Sequence, residues 1–447
     1  MTGHFGYVTE CSLAAASVSA VVCGVFGTRM LLVPARLRHP SSSGGFSSFR
    51  QAFTASLVVC GLFACVALIV NYETRGTESQ PPVLSLAGLH HALSPIFAVA
   101  ADTHEEILIE QLAALDPIDA HTHISNNGPA FARMLDRLHM QVLDILYVDD
   151  ASQYRSSLER QKQDALNFTV ASHGHATMCT TFDPFRWNDD GFPKNTIDEL
   201  NRDFAQGAVA VKVWKNIGME IKDANGQYIM PDDPVFEPIY RDIAANGKTL
   251  IIHAADPDCA WNARCLTVAG TKYYSANPQW DMSKKADAPR KKAILQARNH
   301  LLAMNPDLRV VGAHLGNMES NIDDIAVSLD LYPNFAVDTA ARVRLLTLQP
   351  RDEVWAFFLK YQDRILYGTD LSYSTEDGDE TTAQAWQKQY LLDWRYFSTD
   401  DKFLYAGREV QGLKLPGSIL KKLYHDNATR WVPGIAAVSQ PVAALDR

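Results

Sequence analysis

Basic runs, phosphate loops and dense cysteine frameworks are all missing from this chain of 447 residues. Lysine and arginine total 41 against 51 acidic residues, a formal net charge of −10 at pH 7. With no basic block and no base-stacking aromatic pattern, that balance speaks against nucleic acid as a partner. No GxGxxG turn follows an early strand, which removes the dinucleotide-binding form of an open α/β sheet. No Ser nucleophile elbow and no Cys/His pairing of comparable quality is present. The seven cysteines include no CxxC pair, and Cys11, Cys23, Cys60 and Cys65 all lie in an apolar N-terminal region. Cys259 and Cys265 serve either as a disulfide in an oxidising compartment or as two free thiols of a loop. Internal repeats and low-complexity tracts are absent too.

Charge is also absent from residues 52–70 (AFTASLVVCGLFACVALIV). That run is long enough to cross a hydrocarbon core of ~30 Å. It has no polar stripe at helical spacing, so it reads as a membrane span or long signal sequence rather than a buried helix. A weaker apolar stretch covers Cys11 to Thr28. Arg29, Arg36, Arg38 and Arg50 lie between the two stretches, and the positive-inside rule keeps them cytoplasmic. The chain after residue 71 is then expected outside the cytoplasm. Met30 is an alternative start, which would leave one signal-anchor with a basic leader. The expected organisation is a hydrophobic region over 1–75, with a signal-anchor or one to two transmembrane helices. A linker over 76–104, a folded domain over 105–435 and a tail over 436–447 follow.

Within the folded domain, short apolar runs alternate with helix-like stretches. Expected strands are Pro117–His121, Val142–Val148, Ala176–Phe182, Ala208–Val213, Thr249–His253, Arg309–His314, Phe335–Thr339 and Arg364–Gly368. His121 and Asp370 are 249 residues apart, so seven steps average about 36 residues, enough for one helix per strand. Ala286–Ala303 is one such helix. The pattern predicts a (β/α)8 TIM barrel of the α/β class, its strands apolar because both faces are covered.

Polar residues cluster where those runs stop. The first ends in Asp119-Ala-His121-Thr-His123, and strand alternation points His121 and His123 the same way. Two imidazoles on one face form half of a zinc site, although an HxH triplet alone is as readily incidental. His253 closes the fifth run, His314 the sixth, and Asp370 follows the eighth. Barrel enzymes place their chemistry at that end. A single histidine ending a strand is usually structural, but four such strand ends in register favour a metal site. His173 and His175 lie at the entrance of the third strand and read as structural. Asp256, Asp258, Trp261 and Arg264 lie in a long segment after the fifth strand, placed to form a pocket wall.

HxH on strand 1, His on strands 5 and 6 and Asp on strand 8 resemble the amidohydrolase superfamily. The stretches VVGAHLGN, YPNFAVDTAAR and YQDRILYGTDLS resemble its amidohydrolase-related branch, family 2, over roughly residues 115–433. Ile419–Trp431 is similar to that branch's closing helix. The resemblance implies that His121, His123, His253 and Asp370 hold a divalent metal, Zn2+ foremost, with one ion rather than two. It also implies that Asp370 and His314 act on a metal-activated water and the attacked oxygen. Lys212 on strand 4 has three readings: a carboxylated bridge between two metals, a partner for a substrate carboxylate, or a lysine snorkelling to the rim. Arg342 either holds an anionic substrate or makes a surface salt bridge. The implied activity is hydrolysis of an amide, ester or lactone bond in a small molecule. Non-oxidative decarboxylation on the same site and a non-catalytic binding barrel are the alternatives. Partners are then a small-molecule substrate, the membrane through the N-terminal segment and, optionally, further copies of the chain.

Overall fold

The short runs of β-branched and apolar residues become strands. They are Ile118–Ile124 (β1), Gln141–Ile145 (β2), Ala176–Thr181 (β3), Ala210–Val213 (β4), Thr249–Ile252 (β5), Arg309–Gly312 (β6), Phe335–Asp338 (β7), Ile365–Leu366 (β8) and Leu371–Tyr373 (β9). The structure, a computed structural model, describes residues 104–126, 128–148, 158–262, 268–376 and 378–436. Among the described residues these nine strands form one parallel sheet in the order β8-β7-β6-β5-β4-β3-β2-β1-β9. Because β8 and β9 are consecutive pieces of one extended stretch, the two ends of that order meet. Ala120 N donates to Tyr367 O at 2.9 Å and Asp370 N to His121 O at 2.8 Å. The sheet curls back on itself in a TIM-barrel-like α/β fold, with helices such as Pro129–Leu138, Lys291–Met304 and Asp379–Ser398 packed outside.

Both faces of the strands are covered, which is why they lack polar alternation. Val142, Val211, Leu250 and Val310 pack against the helices. Ile118, Leu143, Cys179, Ala210, Ile251 and Val311 form an inner cluster with Trp431, Val432 and Ile435. Thr249 Oγ1 donates to Trp431 O and Thr177 Oγ1 to Ile435 O. These hydrogen bonds fasten the C-terminal segment under the strand N-termini, so the opposite end is the one left for chemistry.

Several expected boundaries shift for identifiable reasons. The alternation along β1 breaks once. Asp119 and Thr122 are three residues apart, while their partners Val142 and Asp144 are two apart, a one-residue bulge. The bulge moves the inner face from Ile118 and Ala120 to His121 and His123, and the strand runs on to Ile124. Asp119 stabilises the irregularity: its Oδ1 accepts from His121 N at 3.1 Å and Thr369 N at 3.0 Å. Strand 8 is split, because Asp370 has φ 63, a conformation a strand ladder does not accommodate. The helix expected from Ala286 begins at Lys291, since Pro289 disfavours helical backbone at Ala288. The closing helix contains a π turn at Lys422–Asp426, whose Leu423 O accepts from Tyr367 N at 2.9 Å. The second strand stops at Ile145, three residues early.

The apolar runs at 52–70 and Cys11–Thr28 lie outside the described residues. Among the described residues, no helix is long and apolar enough to cross a membrane. Cys259 is disulfide-bonded, Cys265 lies outside the described residues, and Cys179 is free and buried.

Asp144 on β2 has a measurable consequence. Its Oδ1 accepts from Ile124 N at 2.9 Å, while Oδ2 is buried without a partner. Burial pushes the carboxyl up to about 7, against the opposing Ile124 amide and His123. The folded protein therefore keeps a proton that an unfolded aspartate releases near ~3.9. The associated stability is complete below that value and is lost as pH rises through about 7. Asp144→Asn keeps the acceptor and removes the titration. Its Tm should gain on the parent between pH 5 and 8, by roughly 2–4 °C per kcal/mol. Thermal melts differing by a constant amount across that range would refute this account.

Candidate metal centre

The bulge in β1 delivers two imidazoles to the open end of the barrel. His121 Nδ1 donates to Asp338 Oδ2 at 2.8 Å, and His123 Nδ1 donates to Ile145 O at 2.7 Å. Each neutral ring so tethered presents an unprotonated Nε2. His121 Nε2 lies 3.5 Å and His123 Nε2 3.2 Å from the same oxygen, Asp370 Oδ1. Lone pairs facing a carboxylate repel it unless a proton or a cation lies between them. One ligand atom each of His121, His123 and Asp370 falls within 4.8 Å of the others. This set of neutral nitrogens and an anionic oxygen suits a divalent ion such as zinc.

Close packing and strained backbone hold the set in place. A Cβ on Gly368 would sit 3.0 Å from His121 Cβ, so glycine there lets strand 8 pass close by. Asp370, His314, Leu315 and Ala341 all have φ between 55 and 63. Non-glycine residues in that region cost about 1–3 kcal/mol each, and these four lie at the end of the barrel where the donors meet.

The electrostatics keep the donors in their ligating forms. Burial works to raise the Asp370 carboxyl, but the neighbouring His314, His123 and His121 outweigh it and hold it well below the usual range. Burial lowers His121, helped by Lys212 and opposed by Asp338 and Asp370. It lowers His253 to about 4 against the opposing Asp256, and it lowers His314 strongly.

The remaining expected residues sit at different distances from the three. His314 is adjacent, its ring 4.9 Å from that of His121 and its Nδ1 4.0 Å from Asp370 Oδ2. Its Nδ1 donates to Ala340 O at 3.0 Å, which leaves Nε2 as the acceptor of the neutral ring. Donation to an oxyanion would need a second proton, which burial disfavours. His253 stands one ring further out, 4.5 Å from His314, and does not belong to the three-residue group. Its Nε2 lies 3.3 Å from Asp256 Oδ1 but makes no aligned hydrogen bond. Lys212 points into the barrel rather than to its rim: it is buried, with Nζ 3.2 Å from His121 Nε2. Burial lowers its ammonium, with Asp338 and Asp370 opposing. Arg342 is buried rather than superficial, and its Nε lies 3.9 Å from Glu319 Oε2, neither atom hydrogen-bonded. Trp261 Nε1 donates to Pro289 O at 2.8 Å, pinning the excursion after β5. Asp258 pairs with Lys291 at the surface. Arg264 lies outside the described residues. His175, at the far end of the barrel, pairs with Asp136 at 3.0 Å.

Sequence reasoning missed Asp338. It ends the apolar run Phe335–Asp338, the same position that singled out His253 and His314, so the signal was available. Its Oδ1 accepts from His314 N at 2.7 Å and Ala340 N at 3.1 Å. Asp119 was quoted without a role. Lys215, which pairs with Asp256 at 2.8 Å, had no detectable signal.

A family model described as amidohydrolase matches residues 118–434. No curated protein matches the chain. Similar solved structures include 2,6-dihydroxybenzoate decarboxylase from Rhizobium, 14% identical, covering 70% of this chain and 98% of that one at a TM-score of 0.40. Another is 5-carboxyvanillate decarboxylase from Novosphingobium aromaticivorans complexed with manganese, with 12% identity, 71% and 95% coverage and a TM-score of 0.41. A third is 4-oxalomesaconate hydratase from Rhodopseudomonas palustris, with 12% identity, 72% and 97% coverage and a TM-score of 0.40.

Removing the Asp338 carboxylate would strand three buried N–H groups, on His121, His314 and Ala340. Asp338→Ala should cost at least ~2 kcal/mol in urea unfolding. In the fraction that stays folded, zinc affinity should fall roughly 10–100-fold, because the ring orientation of His121 is lost. Unchanged zinc affinity would show that Asp338 does not orient a ligand.

Proposed function

The chain belongs to the amidohydrolase family, and we propose that it is a metal-dependent hydrolase that cleaves an amide, ester or lactone bond in a small molecule. The observation that carries this reading is the convergence of two imidazole Nε2 atoms and the Asp370 carboxylate within 4.8 Å, with each imidazole tethered through Nδ1. On this reading the metal is one zinc ion held by His121, His123, His253 and Asp370. When bound, such an ion polarises a substrate oxygen and lowers the pKa of water towards ~7.

The chain's own groups handle the protons. Asp370, kept ionised, accepts a proton from the attacking water and passes it to the leaving group. His314 accepts a hydrogen bond from a substrate N–H or O–H and so orients the scissile bond. Arg342 attracts an anionic part of the substrate, and Lys212 keeps a nitrogen against His121 at the floor of the site. The uncharged run at 52–70 and the basic loop before it are the sequence features that support a membrane anchor with the folded domain outside the cytoplasm.

A second reading is decarboxylation of an aromatic or unsaturated acid. Tyr147 and Trp214 are both partly exposed; Tyr147 lies 5.1 Å from the His123 ring and Trp214 5.1 Å from Tyr147. That row offers a planar acid a surface to stack on.

The purified full-length chain should hold close to one zinc per molecule by elemental analysis. No bound metal after reconstitution would end both readings. A panel of amides, esters, lactones and aromatic acids, assayed for hydrolysis and for CO₂ release together, separates them. On whichever substrate turns over, Asp370→Asn should lower kcat at least ~10²-fold. Turnover surviving that change would remove Asp370 as proton carrier.

A further inference from the structure

Just past β4 lies a second buried lysine, which the chemistry above does not use. Lys215 is 1% exposed and Asp256 2%. Lys215 Nζ donates to Asp256 Oδ1 at 2.8 Å, to Asp256 Oδ2 at 2.9 Å and to Tyr273 Oη at 2.7 Å. Three rings surround the same ammonium, with centroids 5.3 Å away at Trp214, 5.0 Å at Tyr273 and 4.4 Å at Trp280. Asp256, Tyr273 and Trp280 all come from the excursion after β5. One ammonium two residues beyond β4 therefore gathers three points of that excursion.

The same carboxylate faces a histidine of the site. Asp256 Oδ1 lies 3.3 Å from His253 Nε2, a buried nitrogen with no hydrogen bond of its own. From the other side, Asn317 Oδ1 accepts from Ala254 N at 2.9 Å and Ala255 N at 3.3 Å, which fixes the backbone just after His253. The backbone is thus held by the turn after β6, and Asp256 is the acidic side chain facing the ring's Nε2.

We propose that Lys215 is a positioning residue for His253: it holds Asp256 against the imidazole and so sets which ring edge faces the His121–His123–Asp370 group. A purely structural role would be served as well by apolar residues, because burying an ion pair recovers little net stability over well-packed hydrophobes. The ion pair has a use only if the carboxylate must stay ionised and stationary beside the ring. A carboxylate that holds a ligating histidine in this way typically contributes about 10–100-fold in metal affinity. The inference rests on the metal-binding reading above.

The test separates stability from positioning in the full-length protein. Lys215→Met keeps the apolar stem inside its aromatic box, and Asp256→Asn keeps the shape of the carboxylate. Either single change should lower Tm, because each strands a buried polar partner. The double variant removes both charges and should recover most of that Tm loss. Zn2+ affinity, measured by competition with a chromophoric chelator, should nevertheless remain roughly 10–100-fold weaker than the parent's in the double variant. Should the double variant not fold, Asp256→Asn alone is measured in the same way with the same expectation. Zinc affinity within twofold of the parent in either protein overturns the proposal while leaving the metal reading intact. A parent that binds no zinc overturns the metal reading itself, and this inference with it.

Discussion

The contact between His121 Nδ1 and Asp338 Oδ2, 2.8 Å long and wholly buried, is the one on which the rest of the centre depends. It chooses the tautomer of His121 and aims Nε2 at Asp370. The other oxygen of the same carboxylate receives the amides of His314 and Ala340, so one side chain ties strands 1, 6 and 7 together at the end where the donors meet. A buried carboxylate is costly unless all its lone pairs are used, and Asp338 uses both oxygens.

Around that contact the barrel accepts a series of unfavourable features. Lys212, Lys215, Asp256, Asp119 and Asp144 are all buried, and four non-glycine residues near the donors hold left-handed backbone. None of these would be selected for stability alone. The inner apolar cluster and the C-terminal segment beneath it supply the offset, because Trp431, Val432 and Ile435 close the far end with packed side chains. The division of labour is spatial: apolar packing at one end of the strands, constrained charge at the other.

Much of the architecture was legible in the residues. Parallel strands buried on both faces must be short and apolar, and all eight expected runs overlap strands of the sheet. His121, His123 and Asp370 were found by their position at the ends of such runs, and the structure gathers them. Asp338 occupies an equivalent position, but only folding shows that its carboxylate meets the His121 ring and the His314 amide. Lys215 had no signal, since its partner Asp256 is 41 residues away in the chain and only folding brings them together. The bulge in β1 was equally hidden, because a one-residue slip against β2 is set by pairing rather than by composition.

The amino-acid order by itself determined the class of fold, the end of the barrel that carries chemistry and the kind of donors available there. These follow from local properties: the period of burial, the length of runs and the affinity of imidazole and carboxylate for divalent ions. Only the tertiary structure decided which donors converge, which nitrogen of each ring is free and which of the buried lysines lies against His121. Those outcomes depend on ångström-scale distances between segments up to about 250 residues apart, as between His123 and Asp370. Hydrogen-bond tethers and close packing set such distances, and neither acts on an unfolded chain.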